Sequence, residues 1–95
     1  MTEREQEEMI DRVRQMEQLY DRFDYAVHHT PAQIEQDPEL REIKEKLCRY
    51  YREGEWQHDY DADQQGLLPR DLKRGVLSQD GLYDLLWELR DALES

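Results

Sequence analysis

The apolar residues in the first third of the chain recur with a regular helical period. Six of them follow one another at spacings of four, three, four, three and four residues: Met9, Val13, Met16, Tyr20, Phe23 and Val27. Such a stripe stays on one face of the chain only if the backbone is an α-helix. Three further residues widen it to the breadth typical of a globular bundle: Ile10, Leu19 and Ala26. We therefore predict one long helix from residue 2 to about residue 28.

The predicted first helix is long for a chain of this size. At about 1.5 Å per residue it would extend for about 40 Å. Neither of the later helices predicted below is long enough to cover it. Its first turns would then lack a partner from the same chain, and a homodimer through them is one alternative that the sequence leaves open.

Proline, glycine and a capping acid mark the limits of the second helix. Pro31 ends the first helix, because the residue before a proline is pushed out of the α region. Asp37 is a favourable N-cap, Pro38 suits the first helical position, and Gly54 is placed to adopt the left-handed C-cap conformation. The apolar stripe between them is that of a half-buried helix: Leu40, Ile43, Leu47 and Tyr50. We expect an antiparallel helical hairpin over residues 2–53.

Three of the four glycines of the chain lie in residues 54–78, which predicts a segmented connection. We expect a short helix within residues 55–65, ended by Gly66. A second short helix is expected from Pro69 to Arg74, with Gly75 closing it in a left-handed conformation.

A stripe of leucines predicts the last helix, over residues 79–94. The stripe consists of Leu82, Leu86, Leu89 and Leu93. Ser78 is a suitable N-cap for this helix. Gly81, in the first turn, is less favourable than alanine by about 1 kcal/mol, so we expect close packing of the backbone at this position.

The composition agrees with a small helical protein. Charged residues make up 39% of the chain and hydrophobic residues 37%, which suits helices with one buried stripe and solvated outer faces. Disorder is the competing interpretation of so many charges, but the periodic tryptophan, tyrosine and leucine residues argue against it. We predict a single all-α domain over residues 1–95. It is a three-helix bundle with a long N-terminal helix and a structured connection with short helices before the last helix.

The net charge of −11 restricts the partners of the protein. It repels nucleic acid and anionic membranes, so we expect neither to be bound directly, and it favours a protein partner with a basic surface. The single cysteine, Cys48, excludes an internal disulfide and suits a reducing compartment. The acidic N-terminus does not resemble a signal peptide, and no apolar run reaches the roughly 20 residues that span a membrane. A cytoplasmic protein is expected.

A set of residues in the second half of the chain resembles a known family. It includes the ungapped segment DLKRGVLS and consists of Tyr50, Tyr51, Gly54, Trp56, Asp59, Tyr60, Asp63, Gly66, Leu68, Pro69, Asp71 to Ser78, Asp80 and Tyr83 to Leu86. The pattern resembles that of small bacterial proteins that share a domain of unknown function. The resemblance implies a mostly helical fold and a bacterial or phage origin. It implies no particular activity, cofactor or substrate.

Three alternating acids, Asp59, Asp61 and Asp63, match the first ligand positions of a calcium-binding loop. The match then fails, because Gln64 stands where the loop needs glycine and Arg70 where it needs a bidentate glutamate. We therefore predict no metal site and no cofactor. The alternative is that the acids pair with a basic cluster across the turn. That cluster consists of Arg70, Lys73 and Arg74.

We do not expect an enzyme. Four residues are suitable general acids or bases by type alone: His58, Asp59, Tyr60 and Tyr83. The sequence shows no nucleophile motif, no phosphate-binding loop and no zinc-ligand spacing. A small enzyme or a divalent-cation-binding domain is kept as a lesser alternative.

The predicted function is protein–protein interaction, in a small acidic regulator or inhibitor of a bacterial protein. Exposed aromatic side chains at Tyr51, Trp56 and Trp87 would anchor the partner, as aromatic residues do in other interfaces. The predicted partner-binding residues are Trp56, Tyr60, Asp59, Asp61, Asp63, Arg70, Lys73, Arg74, Tyr51 and Trp87.

An acidic decoy is the alternative function. Such a protein imitates the phosphate charge of nucleic acid and occupies the basic groove of a nucleic-acid-binding defence protein, as phage-type inhibitors do. The acidic strip would come from the acids of residues 59–63 or from the first helix. The helical set is Glu3, Glu7, Asp11 and Asp21. Salt should weaken decoy binding steeply, whereas binding anchored by aromatic side chains should resist it.

Overall fold

The computed structural model describes residues 2–94 and shows an all-α protein. The described residues form five α-helices and one short 3₁₀ turn. In chain order these are α1 (Glu3–His29), α2 (Gln33–Gln36), α3 (Pro38–Arg52), α4 (Glu55–Gln64), the 3₁₀ turn (Gly75–Leu77) and α5 (Gly81–Glu94). The prediction of an all-α fold with a long first helix is confirmed.

The other elements pack around α1. This helix has 27 residues, so its length of about 40 Å accounts for most of the 47 Å long dimension of the molecule. α3 and α5 both pack on α1, α4 packs on α3, and the 3₁₀ turn contacts α1, α4 and α5. Five apolar residues of α1 are buried: Met9, Val13, Phe23, Ala26 and Val27. Most of the predicted stripe therefore faces the core.

The first turns of α1 have a partner within the same chain. The side-chain amide of Gln6 donates to the carbonyl oxygen of Leu67 at 2.7 Å, and Met9 is buried. The length of α1 therefore gives no argument for a homodimer.

Local signals fix the limits of α3 as the sequence indicates. The side chain of Asp37 accepts a hydrogen bond from the backbone N–H of Glu39 at 2.9 Å, and Pro38 occupies the first helical position. Gly54 follows the end of the helix with φ of 95°, in the left-handed region. An N-cap of this kind is typically worth about 1 kcal/mol. The predicted N-cap and left-handed glycine of the second helix are confirmed.

α4 ends in a left-handed glycine motif. Gly66 has φ of 77°, and its N–H donates to the carbonyl of Asp63 at 3.0 Å. The next N–H, that of Leu67, donates back to the carbonyl of Ala62 at 3.0 Å. These two bonds form a Schellman motif, which satisfies the last carbonyls of the helix. The prediction that Gly66 ends this helix is confirmed.

The predicted helix from Pro69 to Arg74 is wrong. This segment is irregular, and Gly75 begins the 3₁₀ turn rather than closing a helix. Among the described residues, positive φ values occur at Gly54 and Gly66, so the predicted left-handed cap at Gly75 is also wrong. The physical reason is that the Arg74 side chain turns back to the carbonyls of Pro69 and Leu72, while Glu17 of α1 takes the backbone N–H groups of Gly75 and Val76.

The last helix begins at Gly81 and not at residue 79 as predicted. The close packing that we expected at Gly81 is confirmed. A Cβ atom built on this glycine would lie 2.6 Å from the hydroxyl oxygen of Tyr20. No helix within residues 2–94 combines the length and the apolar character that crossing a membrane requires.

Candidate functional site

A buried carboxylate on α1 holds the 3₁₀ turn. Glu17 is only 6% exposed although it lies on a helix whose other buried residues are apolar. Its Oε1 accepts from the backbone N–H of Gly75 at 3.2 Å, and its Oε2 accepts from the N–H of Val76 at 2.7 Å. A Cβ atom on Gly75 would lie 3.0 Å from Oε1. Glycine therefore gives the carboxylate room to reach both N–H groups.

Two aromatic side chains hold the other side of the same turn. The hydroxyl of Tyr51 and the indole Nε1–H of Trp56 both donate to the carbonyl oxygen of Val76, the indole at 2.9 Å. The rings of Tyr51, Trp56 and Tyr60 stack in series, with centroids 5.1 Å and 5.0 Å apart. Burial raises the pKa of the Tyr51 hydroxyl above its ordinary value. Tyr51 and Trp56 are half-buried, so the expectation that they are exposed anchors is wrong.

Arg74 supplies the third set of bonds in this segment. Its guanidinium donates to the carbonyl of Leu72 at 3.2 Å, to the carbonyl of Pro69, and to the carboxylate of Asp63 at the end of α4. These bonds replace the helical bonds that the sequence suggested for the segment. We call residues 67–77, with this set of bonds, the tied connection.

A buried ion pair lies at the junction of α1, α3 and α4. Asp59 is fully buried, and its Oδ2 accepts from Nε of Arg12 at 2.9 Å and from the Tyr50 hydroxyl at 2.6 Å. A second guanidinium nitrogen of Arg12 donates to Oδ1. Nδ1 of His58 lies 3.2 Å from the same Oδ1. Such a charge-assisted cluster fixes the three helices relative to one another.

The protonation of this cluster is set by its burial and its internal bonds. Burial raises the pKa of Tyr50, and its hydrogen bond to Asp59 adds to the effect. The hydrogen bond to Asp59 raises the pKa of Arg12. Asp59 is thus an internal residue, and its prediction as a partner-binding residue is corrected, because a carboxylate with no exposed surface cannot reach a partner.

The other predicted charged residues are only partly brought together. Of the pairs predicted across the turn, the described structure forms one, Asp63 with Arg74. Lys73 instead binds Asp21 on α1 at 2.9 Å. Asp61 is exposed and accepts from Gln57 at 3.0 Å, and Arg70 is also exposed.

The three alternating acids do not converge on one point. They lie on α4, where residues two apart point about 200° away from each other, so Asp61 is turned away from Asp59 and Asp63. Within residues 2–94, no group of three histidine, cysteine, aspartate or glutamate side chains is placed to hold a metal ion.

The outer side of α5 carries two exposed aromatic side chains next to an exposed leucine. Tyr83 is 61% exposed, Trp87 53% and Leu93 48%. The rings of Tyr83 and Trp87 meet edge to face at 6.2 Å, and the guanidinium carbon of Arg90 lies 5.5 Å from the Trp87 ring centroid. We call these residues, together with half-buried Leu86, the α5 face. Trp87 was predicted as a binding residue, whereas Leu86, Arg90 and Leu93 were not, and Tyr83 was considered only for catalysis.

The sequence did contain a signal for the α5 face. Residues 83, 87, 90 and 93 are spaced by four, three and three, which is a second helical stripe beside the leucine stripe. The structure buries Leu82, Leu85 and Leu89. The predicted stripe therefore included Leu93, which is largely exposed, and omitted Leu85, which is in the core. Because the predicted leucine stripe took in residues on the exposed side of α5, the second stripe on that side was not recognised as a separate surface.

No match is found among curated proteins or among solved structures. The profile of one protein family matches residues 13–95, a range that includes Glu17, the tied connection and the α5 face. The resemblance noted in the sequence is thereby confirmed, and the chain belongs to the family described as a domain of unknown function, DUF4298.

Proposed function

We propose that this chain is a non-enzymatic protein-interaction module that binds a protein partner through the α5 face and regulates or inhibits it. One observation carries the proposal: Trp87 exposes half of its surface while Tyr83 and Arg90 rest against it. Tryptophan, tyrosine and arginine are the residue types that contribute most binding energy in protein interfaces.

The α5 face is held rigidly enough to bind without a large ordering cost. On the inner side of α5, Leu82, Leu85 and Leu89 are buried in the core. On the outer side, Trp87 is already in contact with the Tyr83 ring and the Arg90 guanidinium. A preorganised side chain loses less conformational entropy when a partner covers it. This supports an anchoring role for Trp87.

The charge of the protein indicates the kind of partner. The sequence has a net charge of −11, and complementary charge around an interface speeds association and selects the partner. We propose a partner with a basic surface. The single cysteine and the resemblance to bacterial proteins support the bacterial cytoplasm as the compartment in which the two meet.

The buried polar groups support a non-enzymatic role. Glu17 accepts two backbone N–H groups, and Asp59 accepts from Arg12 and Tyr50. General acid–base catalysis needs such a group within reach of a substrate. In this fold both carboxylates are bonded to the protein itself.

The experiment that tests the proposal is capture of partners from a bacterial lysate on immobilised protein, with elution by rising salt. We expect a partner that is retained at high salt by the unaltered protein and lost with Trp87→Ala. Tyr25→Ala is the matched control, because Tyr25 is an exposed aromatic residue on α1 that stacks on His29. A partner that binds Trp87→Ala and the control equally well would contradict the proposal.

The acidic decoy remains a second candidate, and one observation favours it. Glu3, Glu7 and Asp11 are all exposed and follow one another at four-residue intervals along α1, so they form one acidic row. Asp21 adds little to this row because Lys73 neutralises it. A nucleic-acid-binding partner that is released at moderate salt, and that is lost when the three acids are changed to amides, would establish the decoy instead.

A further inference from the structure

Two neighbouring depressions on the α5 side of the molecule share two lining residues. The first, of about 540 Å³, lies between α3 and α5 and contains Cys48, Leu89 and Leu93. The second, of about 260 Å³, lies beside Tyr83 and Trp87. Leu86 and Arg90 line both. Leu89 is buried and forms the floor, whereas Leu93 and Trp87 are about half exposed. We call this surface the α3–α5 track.

We propose that the α3–α5 track binds an amphipathic helix of the partner protein, with apolar residues on its inner side and lysine or arginine residues along its edges. This inference rests on the proposed function and names the chemical class of the partner. A helix laid into an apolar groove is one of the recurring ways in which proteins recognise a short segment.

The walls of the track favour a helix over an extended segment. The described residues contain no β-strand, so they offer no strand edge to which an extended peptide could add. Both walls are helices, and the backbone groups in the interior of each helix are bonded within it. An extended segment lying here would leave many of its own N–H and C=O groups without a protein partner. A helix satisfies its own backbone.

The dimensions of the track fit a short helix. Tyr83 and Leu93 are ten residues apart on α5, which corresponds to a rise of about 15 Å. A partner helix of about three turns covers the same distance. On α5, Tyr83, Trp87 and Arg90 follow one another at intervals of four and three residues. A partner helix with apolar residues at positions i, i+4 and i+7 has the same spacing and would lie along them.

The charge beside the track, and not its lining, favours a basic partner. The charged residues that line it form two pairs, Arg90 with Glu94 at 3.0 Å and Lys44 with Glu35 at 2.8 Å, so the lining itself is balanced. Asp84 and Asp91 are exposed on α5 outside this lining, where lysine or arginine residues at the edge of a partner helix would meet them. A second copy of the chain would bring another eleven negative charges to this surface. The electrostatic energy therefore disfavours self-association here and favours lysine and arginine.

The test uses synthetic peptides as probes. The first is an amphipathic peptide of about 15 residues, with leucine at i, i+3, i+4 and i+7 and lysine elsewhere. The second has the same composition with the order scrambled, and the third is the first with two central residues replaced by proline, which breaks the helix. Each is titrated into the full chain, with affinity measured by calorimetry and the contact surface mapped by amide chemical shifts.

We expect the amphipathic peptide to bind with one-to-one stoichiometry and to shift the amide signals of Cys48, Leu86, Leu89 and Leu93. The scrambled and proline peptides should bind at least tenfold more weakly. Trp87→Ala and Leu93→Ala should each weaken binding of the amphipathic peptide about tenfold, which corresponds to about 1.4 kcal/mol. Both residues are about half exposed, so the variants should keep the helical circular-dichroism spectrum of the parent. Tyr25→Ala should bind like the parent.

Other outcomes overturn the inference and leave the proposed function to its own test. Equal binding of the scrambled peptide, or shifts that follow the acidic row of α1, would show attraction by charge alone. Equal binding of the proline peptide, or no binding by any peptide, would show that the track does not take a helix. A lysate partner that still depends on Trp87 would then uphold the interaction function without the helical partner.

Discussion

The tied connection and the α5 face use the same kinds of side chain for opposite purposes. In the tied connection, Tyr51 and Trp56 direct their polar atoms to one main-chain carbonyl, that of Val76. On the α5 face, Tyr83 and Trp87 contact each other and remain more than half exposed. The difference teaches that an aromatic residue is committed to the fold when an unpaired backbone acceptor lies within its reach, and is available to a partner when none does.

The bonds of the tied connection also explain why its residues belong to the family pattern. The ungapped segment DLKRGVLS carries much of the resemblance, and within it Arg74, Gly75 and Val76 are each bonded to another element of the fold. Two residue types follow from these contacts: Arg74 acts through its guanidinium, and Gly75 leaves room for the Glu17 carboxylate. Val76 is bonded through its backbone, and its side chain is buried in the core. A match in this segment therefore reports a shared fold.

The largest effect is expected from removal of the Glu17 carboxylate. Glu17→Ala leaves the N–H groups of Gly75 and Val76 without an acceptor, in or next to the core. Since an orphaned buried donor costs about 1–3 kcal/mol, the free energy of unfolding should fall by about 3 kcal/mol. Urea denaturation measures it, and faster hydrogen exchange at the Val76 amide shows where the loss occurs. Glu7→Ala, an exposed acid on the same helix, is the control and should change stability by less than about 0.5 kcal/mol.

The two tryptophans give the most direct comparison of the two regions. Trp56→Ala removes a half-buried ring, two stacking contacts and a hydrogen bond, and should cost about 2 kcal/mol, somewhat below the value for a fully buried tryptophan. Trp87→Ala should cost less than about 0.5 kcal/mol, because its ring lies on the surface. Thermal or urea unfolding of the two variants measures both values. If both variants lose the same free energy of unfolding, Trp56 is no more important to the fold than Trp87, and the contrast between the two regions fails.

Gly81, where the chain leaves the connection and enters α5, should show a smaller effect. Gly81→Ala places a Cβ atom 2.6 Å from the Tyr20 hydroxyl oxygen, and overpacking of this kind costs about 1–3 kcal/mol. The better helix propensity of alanine returns up to about 1 kcal/mol, so a net loss of about 1 kcal/mol is expected.

The Tyr20→Phe background separates the two contributions at Gly81. Phenylalanine removes the hydroxyl oxygen that the new methyl group meets, so Gly81→Ala should then be close to neutral. The four proteins of the cycle are compared by urea denaturation. The same loss in both backgrounds would mean that the Tyr20 hydroxyl is not what excludes a side chain at this position, and would leave the Tyr20 ring carbon and the Ser78 Cβ, each 3.3 Å from the added Cβ, as the cause.

The sequence predicts the elements that are fixed by residues close together along the chain, and it fails for those fixed by residues far apart. α3 is predicted at both ends because Asp37, Pro38 and Gly54 act on their own neighbours along the chain. The irregular segment before Gly75 is mispredicted because side-chain bonds set its path. Glu17, 58 residues from Gly75, holds the N–H groups at its end, and Arg74 binds the carbonyls of Pro69 and Leu72 and the carboxylate of Asp63. A proline at a helix start and a glycine at its end describe local preference only, and these bonds override it.

The site residues show the same limit. Asp59 appears in the sequence as one of three alternating acids, and only the packing of α1 against α4 shows that Arg12 neutralises it. One signal was available for Glu17: it stands four residues after buried Val13 and three before Tyr20, so it lies at the edge of the apolar stripe. An acid that the fold buries at such a position needs hydrogen-bond partners there. The sequence cannot tell which backbone groups those are.

The smallest expected effect on stability comes from the contact of His28 on α1 with Glu88 on α5, and it depends on pH. Nδ1 of His28 lies 2.8 Å from the carbonyl oxygen of Asp24 and 3.1 Å from its carboxylate, and Nε2 lies 2.8 Å from the carboxylate of Glu88 on α5. With acceptors at both nitrogens, the doubly protonated ring is favoured. The backbone hydrogen bond to Asp24 and the two carboxylates therefore raise the pKa of His28 above its ordinary value.

The sign of the pH effect follows from the direction of that shift. A raised pKa in the folded state means that the stabilisation is complete below the ordinary histidine pKa of about 6.5 and is lost as pH rises through the folded value. Because His28 is half exposed, we expect a loss of only a few tenths of a kcal/mol between about pH 6 and pH 8. Urea denaturation at both pH values should show this loss in the parent but not in His28→Gln. The control is His29→Gln, which removes the neighbouring histidine that stacks on Tyr25, and it should show the same loss as the parent. If His28→Gln loses as much stability as the parent, the link between α1 and α5 does not depend on this proton, and α5 is held by its buried leucines alone.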